Sequence, residues 1–396
     1  MKRKLLTVAV ASAFMAPAAA LAQSSTVQVY GTLLINYNLV DFGNGRVNTD
    51  MFNSHDANIG FKGEERLGGA LSAWFQCEST MDVTGVGGAG NGFCGRNSAF
   101  GMKGNFGNVF AGIWDTPMKT AMANFRPFST SGAYGMSSVL WNTSGSDVGN
   151  GPAGAGGTNV TSFTRRQVNL WTYQSPNWAG FQAGAAVSTA NEATALVNAS
   201  TAKKPRLWSL GGTYTNGPLI LGAGYERHTN YNPAAQANYT GGDDRAWNAA
   251  VAYTFAGVFK LSAIYTDTRY DTGPGTNLQG KSWGIFGDWA IAGPHRLRAE
   301  YNHMKSTSGN FGGAVVGGVC TAAAVGQWAA NCGQGNTGAN LYGLQYAYAF
   351  SKRTELNFGY ARLNNDALSA QALVTLGKGT AGQNQSAWVF GAKHTF

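Results

Sequence analysis

The feature that most limits what this chain can fold into is a period-two alternation of large apolar with small or polar residues, repeated along its length. In 247–255, Trp247, Ala249, Val251, Tyr253 and Phe255 alternate with Asn248, Ala250, Ala252 and Thr254. In 281–291, Trp283, Ile285, Trp289 and Ile291 alternate with Gly284, Phe286, Asp288 and Ala290. In 295–302, Leu297, Ala299 and Tyr301 alternate with Arg296, Arg298, Glu300 and Asn302, and in 342–350 Leu344, Tyr346, Tyr348 and Phe350 alternate with Gly343, Gln345, Ala347 and Ala349. A period of two puts the two sets on opposite faces of a strand, not along one face of a helix. Beyond the first residues, no run approaches the ~18 apolar residues that a membrane-crossing helix needs.

The connections alternate as well. Tight turns are predicted at Thr215-Asn216-Gly217-Pro218, Phe255-Ala256-Gly257, Ala292-Gly293-Pro294 and Ser351-Lys352-Arg353-Thr354. Between them lie long polar or Gly-rich stretches, at 116–164, 190–205, 229–243, 306–338 and 367–383. Sixteen strands are expected, starting near 26, 55, 69, 95, 107, 165, 179, 206, 218, 245, 257, 281, 294, 338, 353 and 384. An even number of alternating strands, with short turns at one end and long loops at the other, is the pattern of an all-β, antiparallel transmembrane barrel. Lipid supplies no partner for a free N–H or C=O, so only a closed sheet can cross it. A secreted sandwich or propeller would carry Lys, Glu and Thr on its outer parity; here Leu, Val, Tyr and Trp occupy it. The polar parity is then the inner one. Sixteen strands enclose a space too wide for side chains to fill, which leaves a water-filled lumen.

Composition agrees. Only 12% of residues are charged, about half the usual share of a soluble domain. Met1-Lys2-Arg3-Lys4, the apolar run Leu5–Ala13 and Ala20-Leu21-Ala22 read as a signal peptide over 1–22, cleaved before Gln23. Its removal takes the formal charge from +9 to +6. No basic run follows Lys4, which argues against a nucleic-acid partner. Four cysteines in an exported chain point to two disulfides; three connectivities exist, of which Cys77–Cys94 and Cys320–Cys332 are the simplest. With no CxxC and five scattered histidines, no metal site is expected. Gly85-Val86-Gly87-Gly88-Ala89-Gly90 formally fits GxGxxG, but no helical pattern follows it, so it reads as a loop tip and no cofactor is expected. His55 and Asp56 are adjacent and would point to opposite faces of a strand, so they make no catalytic constellation. An enzyme is not expected.

Five ordered segments carry a resemblance. Phe61-Lys62-Gly63-Glu64-Glu65-Arg66-Leu67-Gly68-Gly69-Ala70-Leu71 resembles the GFKGxEDLGGGL turn of trimeric Gram-negative porins of the β-proteobacterial type. Gly95-Arg96-Asn97-Ser98-Ala99-Phe100-Gly101-Met102-Lys103-Gly104-Asn105-Phe106-Gly107 is similar to that family's GRQAYVGLSGNFG hairpin. Tyr173-Gln174-Ser175-Pro176-Asn177-Trp178-Ala179-Gly180-Phe181 resembles YDSPNFAGF, Ser351-Lys352-Arg353-Thr354-Glu355-Leu356 resembles LSKRTDLY, and Phe390-Gly391-Ala392-Lys393-His394-Thr395-Phe396 is similar to VGLRHKF. The resemblance implies a homotrimer in the outer membrane, surrounded by its lipid and lipopolysaccharide, that passes small hydrophilic solutes and ions by passive diffusion. It also implies that the third loop, 116–164, folds into the lumen and narrows it. Trp388, Phe390 and Phe396 share a parity; the resemblance implies that the barrel-insertion machinery reads this strand and that it closes the sheet against the first.

Channels of this kind select by width and by the charges that line them. The resemblance makes Arg96, Arg166, Asn58, Lys62, Asp115, Arg126 and Thr172 the candidate pore-lining residues. Arg96 matches the arginine of GRQ. It is expected to face the lumen because the outward parity of its strand would take small residues such as Ala99 and Gly101. Arg166 has the inward parity if Trp171 and Tyr173 face lipid; Arg165 then faces outward or into the loop. Three family arginines are replaced by Asn58, Ile113 and Thr172, and the first-strand aspartate by Leu34. Asp115, Lys119, Arg126 and Asp147 nearly cancel. The expectation is a weak anion preference. Two alternatives are a substrate-selective porin with a solute-binding constriction and a closed structural or adhesive barrel.

Overall fold

The computed structural model describes residues 27–43, 48–85, 92–129, 132–135, 163, 165–189, 206–231, 242–273, 275–309, 335–369, 371–373 and 380–396. The signal peptide 1–22, Cys320, Cys332, Asp147 and most of 136–164 lie outside these residues. The strands are β1 (Gln28–Asp41), β2 (Thr49–Asn53), β3 (Asn58–Gly68), β4 (Leu71–Thr80), β5 (Ser98–Gly104), β6 (Gly107–Asp115), β7 (Arg166–Gln174), β8 (Phe181–Ser188), β9 (Arg206–Asn216) and β10 (Leu219–Tyr231). They continue as β11 (Gly242–Phe255), β12 (Phe259–Gly273), β13 (Thr276–Ala292), β14 (His295–Met304), β15 (Ser308–Gly309), β16 (Ala339–Ala349), β17 (Thr354–Asn365) and β18 (Gln385–Thr395). One short helix, α1 (Pro117–Ala121), follows β6.

These eighteen pieces form one antiparallel sheet that closes on itself, Thr32↔Thr395 through Asp41↔Ser386. They make sixteen crossings, because two crossings are interrupted. β2 and β3 both pair with β1, at Val40↔Thr49 and at Thr32↔Asn58, so 54–57 is a break within one strand. β14 and β15 both pair with β13. The break at 54–57 is why the sequence gives a single start near 55 where two pieces occur. The other displaced boundary is β13, expected from 281 but beginning at Thr276. β12 and β13 pair as far as Gly273↔Thr276, with Gly275 at φ +74°, at the tip of a long hairpin.

The two parities separate as their chemistry requires. Trp208 is 51% exposed, Leu210 55%, Val251 44%, Ile285 44% and Leu344 52%, whereas Asn38, Ser209, Asn248, Thr266 and Asn302 are buried. A chain in water would invert this arrangement; a chain in lipid requires it. One correction concerns β5. Phe100 and Met102 are the outward residues, at 63% and 38%, and Ala99 and Gly101 are buried on the inner parity. Gly101 is small because Trp74 and Phe110 close over it: a Cβ there would sit 2.6 Å from Phe110 Cβ and 2.7 Å from Trp74 Nε1. Trp74, Phe110 and Trp114 therefore form an aromatic patch on the inner parity, with ring centroids 5.0–5.9 Å apart. Their period matches that of lipid-facing aromatics, so the alternation alone does not distinguish them.

β1 and the residues at the end of β18 seal the sheet. Phe396 N donates to Gly31 O at 3.0 Å, and Gly31 N donates to Phe396 O at 3.1 Å. The Phe396 ring lies where a side chain on residue 31 would be, with Cζ 2.5 Å from an ideal Cβ. At the long-loop end, Cys77 and Cys94 form a disulfide across the β4–β5 connection.

Candidate functional site

The segment after β6 turns back against the inner parity of the sheet. Thr116 caps α1 with its side chain, accepting from Lys119 N, and Pro117 opens the helix. Both are standard starts, since the cap satisfies an orphan N–H and proline has none to lose. The helix lies on β8, β9 and β10. Met118 N donates to Ser209 Oγ at 3.0 Å, and Asn248 Nδ2 donates to Met118 O at 3.4 Å. Further along, Ser262 Oγ donates to Phe125 O at 2.5 Å, and Lys260 Nζ donates to Asn124 O at 2.9 Å. Glycines on the wall make the seat. A Cβ at Gly211 would meet Pro117 O, one at Gly222 would lie 2.5 Å from the Phe125 ring, and one at Gly224 2.8 Å from Met118 Cα. Phe125, Phe128 and Tyr134 are buried. Tyr134 reaches the far wall, where it lies against Gly343 and Gly359. Burial, and then the Glu300 carboxylate, hold its phenol above its ordinary pKa, so it adds no charge. Ser129 Oγ donates to Asp56 in the break between β2 and β3.

Four of the seven sequence candidates gather on the wall near the start of this segment. Arg96 Nε donates to Glu78 Oε1 at 2.6 Å. Arg166 Nε donates to Asn97 Oδ1 at 2.6 Å and lies 3.7 Å from Asp115 Oδ1. Asn97 Nδ2 donates to Asp115 Oδ2 at 3.1 Å, and Lys119 Nζ reaches Asp115 Oδ1 at 3.0 Å. Thr172, also buried, lines a recess of about 150 Å³ shared with Asp115 and α1. Lys62 joins from the side: its ammonium lies 5.0 Å over the Tyr30 ring, and Tyr30 OH donates to Glu78 Oε2 at 3.1 Å. Asn58 is anchored at its strand's start, Nδ2 donating to Asp56 O at 3.2 Å. Arg126 is elsewhere: its Nη1 donates to Phe128 O at 3.2 Å and its charge acts on Glu300, on another wall.

Glu78, Asn97 and Tyr30 were not legible as site residues. Glu78 sits on the same parity as Gln76 and Trp74, which could have placed it on the inner face, but only the pairing of β4 with β5 brings it to Arg96. With Asp56 included, the cluster holds four cations (Lys62, Arg96, Lys119, Arg166) and three carboxylates (Asp56, Glu78, Asp115), a residual of +1. A second inner recess, of about 630 Å³, lies toward the short-turn end and is lined by Glu64, Arg66, Lys103, Asn108 and Gln174.

Comparison with known proteins gives a consistent answer. A protein-family model described as Gram-negative porin matches residues 6–368. The chain is 27% identical to outer membrane porin protein 32 of Delftia acidovorans, over all of both chains. It is also 27% identical to an outer membrane porin protein of Bordetella pertussis, covering 90% of this chain and 92% of that one. Among solved structures, the anion-selective porin from Comamonas acidovorans superposes with a TM-score of 0.69 at 22% identity, covering 94% of this chain and all of that one. A closed sixteen-crossing sheet, apolar outside and polar inside, thus coincides with a family match over most of the sequence: the chain belongs to the Gram-negative porins, outer-membrane channels for passive diffusion.

Proposed function

We propose that residues 116–129 and 132–135, with the wall cluster around Arg96, Asn97, Asp115 and Arg166, form the constriction of a trimeric, water-filled channel with a weak anion preference. The observation that carries this reading is the residual +1 of the cluster. Every cation except Lys62 is matched by a carboxylate within 4 Å. A narrow aqueous gap between low-dielectric walls focuses such a residual field, but one unit of charge gives a modest preference. The Comamonas acidovorans protein is anion-selective by its description, which agrees in sign. The homotrimer, its lipid and lipopolysaccharide surroundings, and delivery by the barrel-insertion machinery rest on the family resemblance.

The test is a reversal potential in a salt gradient, in dilute electrolyte where the Debye length is ~30 Å. Arg96→Glu takes the cluster from +1 to −1 and should reverse the sign of the preference. An unchanged reversal potential at intact conductance would remove Arg96 from the constriction. A second reading, a substrate-selective channel, is favoured by the Trp74–Phe110–Trp114 patch beside Asn108, to which Trp74 Nε1 donates at 2.7 Å. Saturable block of conductance by planar aromatic solutes would support it.

A further inference from the structure

We infer that the short-turn mouth of the barrel carries a second and larger ring of fixed positive charge, which makes the channel conduct unequally in its two directions. Six cations, Arg66, Lys103, Lys260, Arg296, Arg298 and Lys393, each stand within three residues of the short-turn end of their strand. At ~3.3 Å per residue they occupy a layer about 10 Å deep. Their neighbours put them on the inner parity. Lys260 shares a face with buried Ser262, Arg296 and Arg298 with buried Glu300, and Lys393 with buried Val389, while Arg66 and Lys103 both lie opposite buried Ser72.

Three carboxylates answer three of these cations. Glu64 accepts from Lys103 Nζ at 2.6 Å, Asp288 from Arg296 Nη2 at 2.7 Å, and Glu355 from Arg298 Nη1 at 2.8 Å. Among the described residues, Arg66, Lys260 and Lys393 have no carboxylate within 4 Å; Lys260 Nζ donates instead to Asn124 O at 2.9 Å. The mouth therefore keeps a residual of +3, against +1 at the wall cluster. Asp115 of that cluster is eight residues along β6 from the turn at Gly107, ~26 Å along the strand or ~20 Å along the axis at a tilt of ~40°. The fixed charge is thus lopsided along the pore.

Such a pore acts as a weak diode. In dilute salt the Debye length, ~30 Å, reaches across the lumen, and the ring admits anions while it holds cations back. When the field drives anions in through the short-turn mouth, they pass the ring and cations stop short of it, so both accumulate in the lumen and the current rises. Under the opposite field anions leave through the ring faster than the narrow gap supplies them, cations are refused entry, and the lumen is depleted. This rests on the narrow gap lying at the wall cluster, as proposed above. That gap holds most of the resistance and decides which ion is preferred; the wide mouth decides in which direction it moves more easily.

The test is the current of single reconstituted trimers at equal and opposite voltages, with the same salt on both sides. The natural sequence should show a ratio of about 1.5 between the two directions in ~10 mM salt and of about 1 in 1 M salt, where the Debye length is ~3 Å. Arg66→Gln/Lys393→Gln takes the mouth from +3 to +1 and should bring the dilute-salt ratio close to 1, at unchanged conductance in 1 M salt. Equal currents for the natural sequence in dilute salt, an asymmetry that persists in 1 M salt, or an asymmetry unaltered in the double variant would each overturn the inference. Should the double variant fail to assemble, the salt dependence of the natural sequence decides alone. If Arg96→Glu leaves the reversal potential unchanged while the mouth variant abolishes the asymmetry, the constriction reading fails and the mouth ring stands.

Discussion

Gly211 and Gly212 are neighbours in β9 that face opposite sides, and the fold makes opposite demands on them. A methyl group at Gly211 would meet Pro117 O and stand 2.5 Å from Pro117 C, where ordinary contact begins near 3.4 Å. The obstacle is backbone, so no rotamer change relieves it, and α1 must move off the wall by more than about 0.9 Å, because Pro117 O is nearer than Pro117 C. Forcing a methyl group into a packed site costs about 1–3 kcal/mol. The retreat also stretches the bond from Met118 N to Ser209 Oγ, adding about 1 kcal/mol at most. At Gly212 the nearest atoms are Gln182 O at 3.4 Å and the Phe181 ring at 3.6 Å, so a methyl group fits and the change should stay within about 0.5 kcal/mol. Strand pairing survives both substitutions. The prediction is that Gly211→Ala lowers the urea midpoint in lipid vesicles and the single-channel conductance, while Gly212→Ala leaves both unaltered. Indistinguishable behaviour of the two variants would refute the argument that α1 is seated on the inner wall by the absence of a side chain at 211.

Three further outcomes are expected. Glu78→Gln frees the Arg96 charge, raises the cluster residual from +1 to +2 and should strengthen the anion preference in the same reversal-potential assay in which Arg96→Glu reverses it. Deleting Phe396 removes two backbone hydrogen bonds at the seam and the ring packed over Gly31, and should lower the yield of heat-resistant oligomer; a normal yield would show that the seam closes without it. Cys77→Ser opens the Cys77–Cys94 loop, 17 residues in sequence separation, and should cost about 3 kcal/mol through the freed denatured chain, seen as a lower midpoint at unchanged conductance.

Much of the barrel was legible because lipid enforces a rule with few exceptions: one parity apolar, the other polar. The middles of strands such as β11 and β16 obey it, and their limits follow from the sequence to within a few residues. Its failures are local and have causes. In β5 the small residues Ala99 and Gly101 looked outward, yet they make room for inner-wall aromatics contributed by β4 and β6. Arg96 nevertheless reaches the inner cluster, by its pairing with Glu78 and not by the parity first argued for it. The candidate site was legible by residue type at Arg96, Arg166 and Asp115, but not by partner, since Asn97 and Glu78 meet them only through β4–β5–β6 pairing. Thr116-Pro117 carried the signal of a helix start within a stretch read as loop.

The seam between β1 and β18 has a kinetic meaning. Thr32 and Thr395 are 363 residues apart in the chain, yet opposite one another in the sheet. Joining ends that distant costs about 3 kcal/mol more loop-closure entropy than joining a hairpin of fifteen residues, and no neighbouring contact helps until the rest of the sheet exists. Before that step, any partial sheet presents two raw edges, each able to template pairing with another chain, and neither can rest in lipid. Synthesis must therefore reach β18 before any stable membrane form exists. A chain that lacks β18 leaves both edges bare, so the sheet audits its own completeness: only a copy that carries both β1 and β18 removes both edges at once.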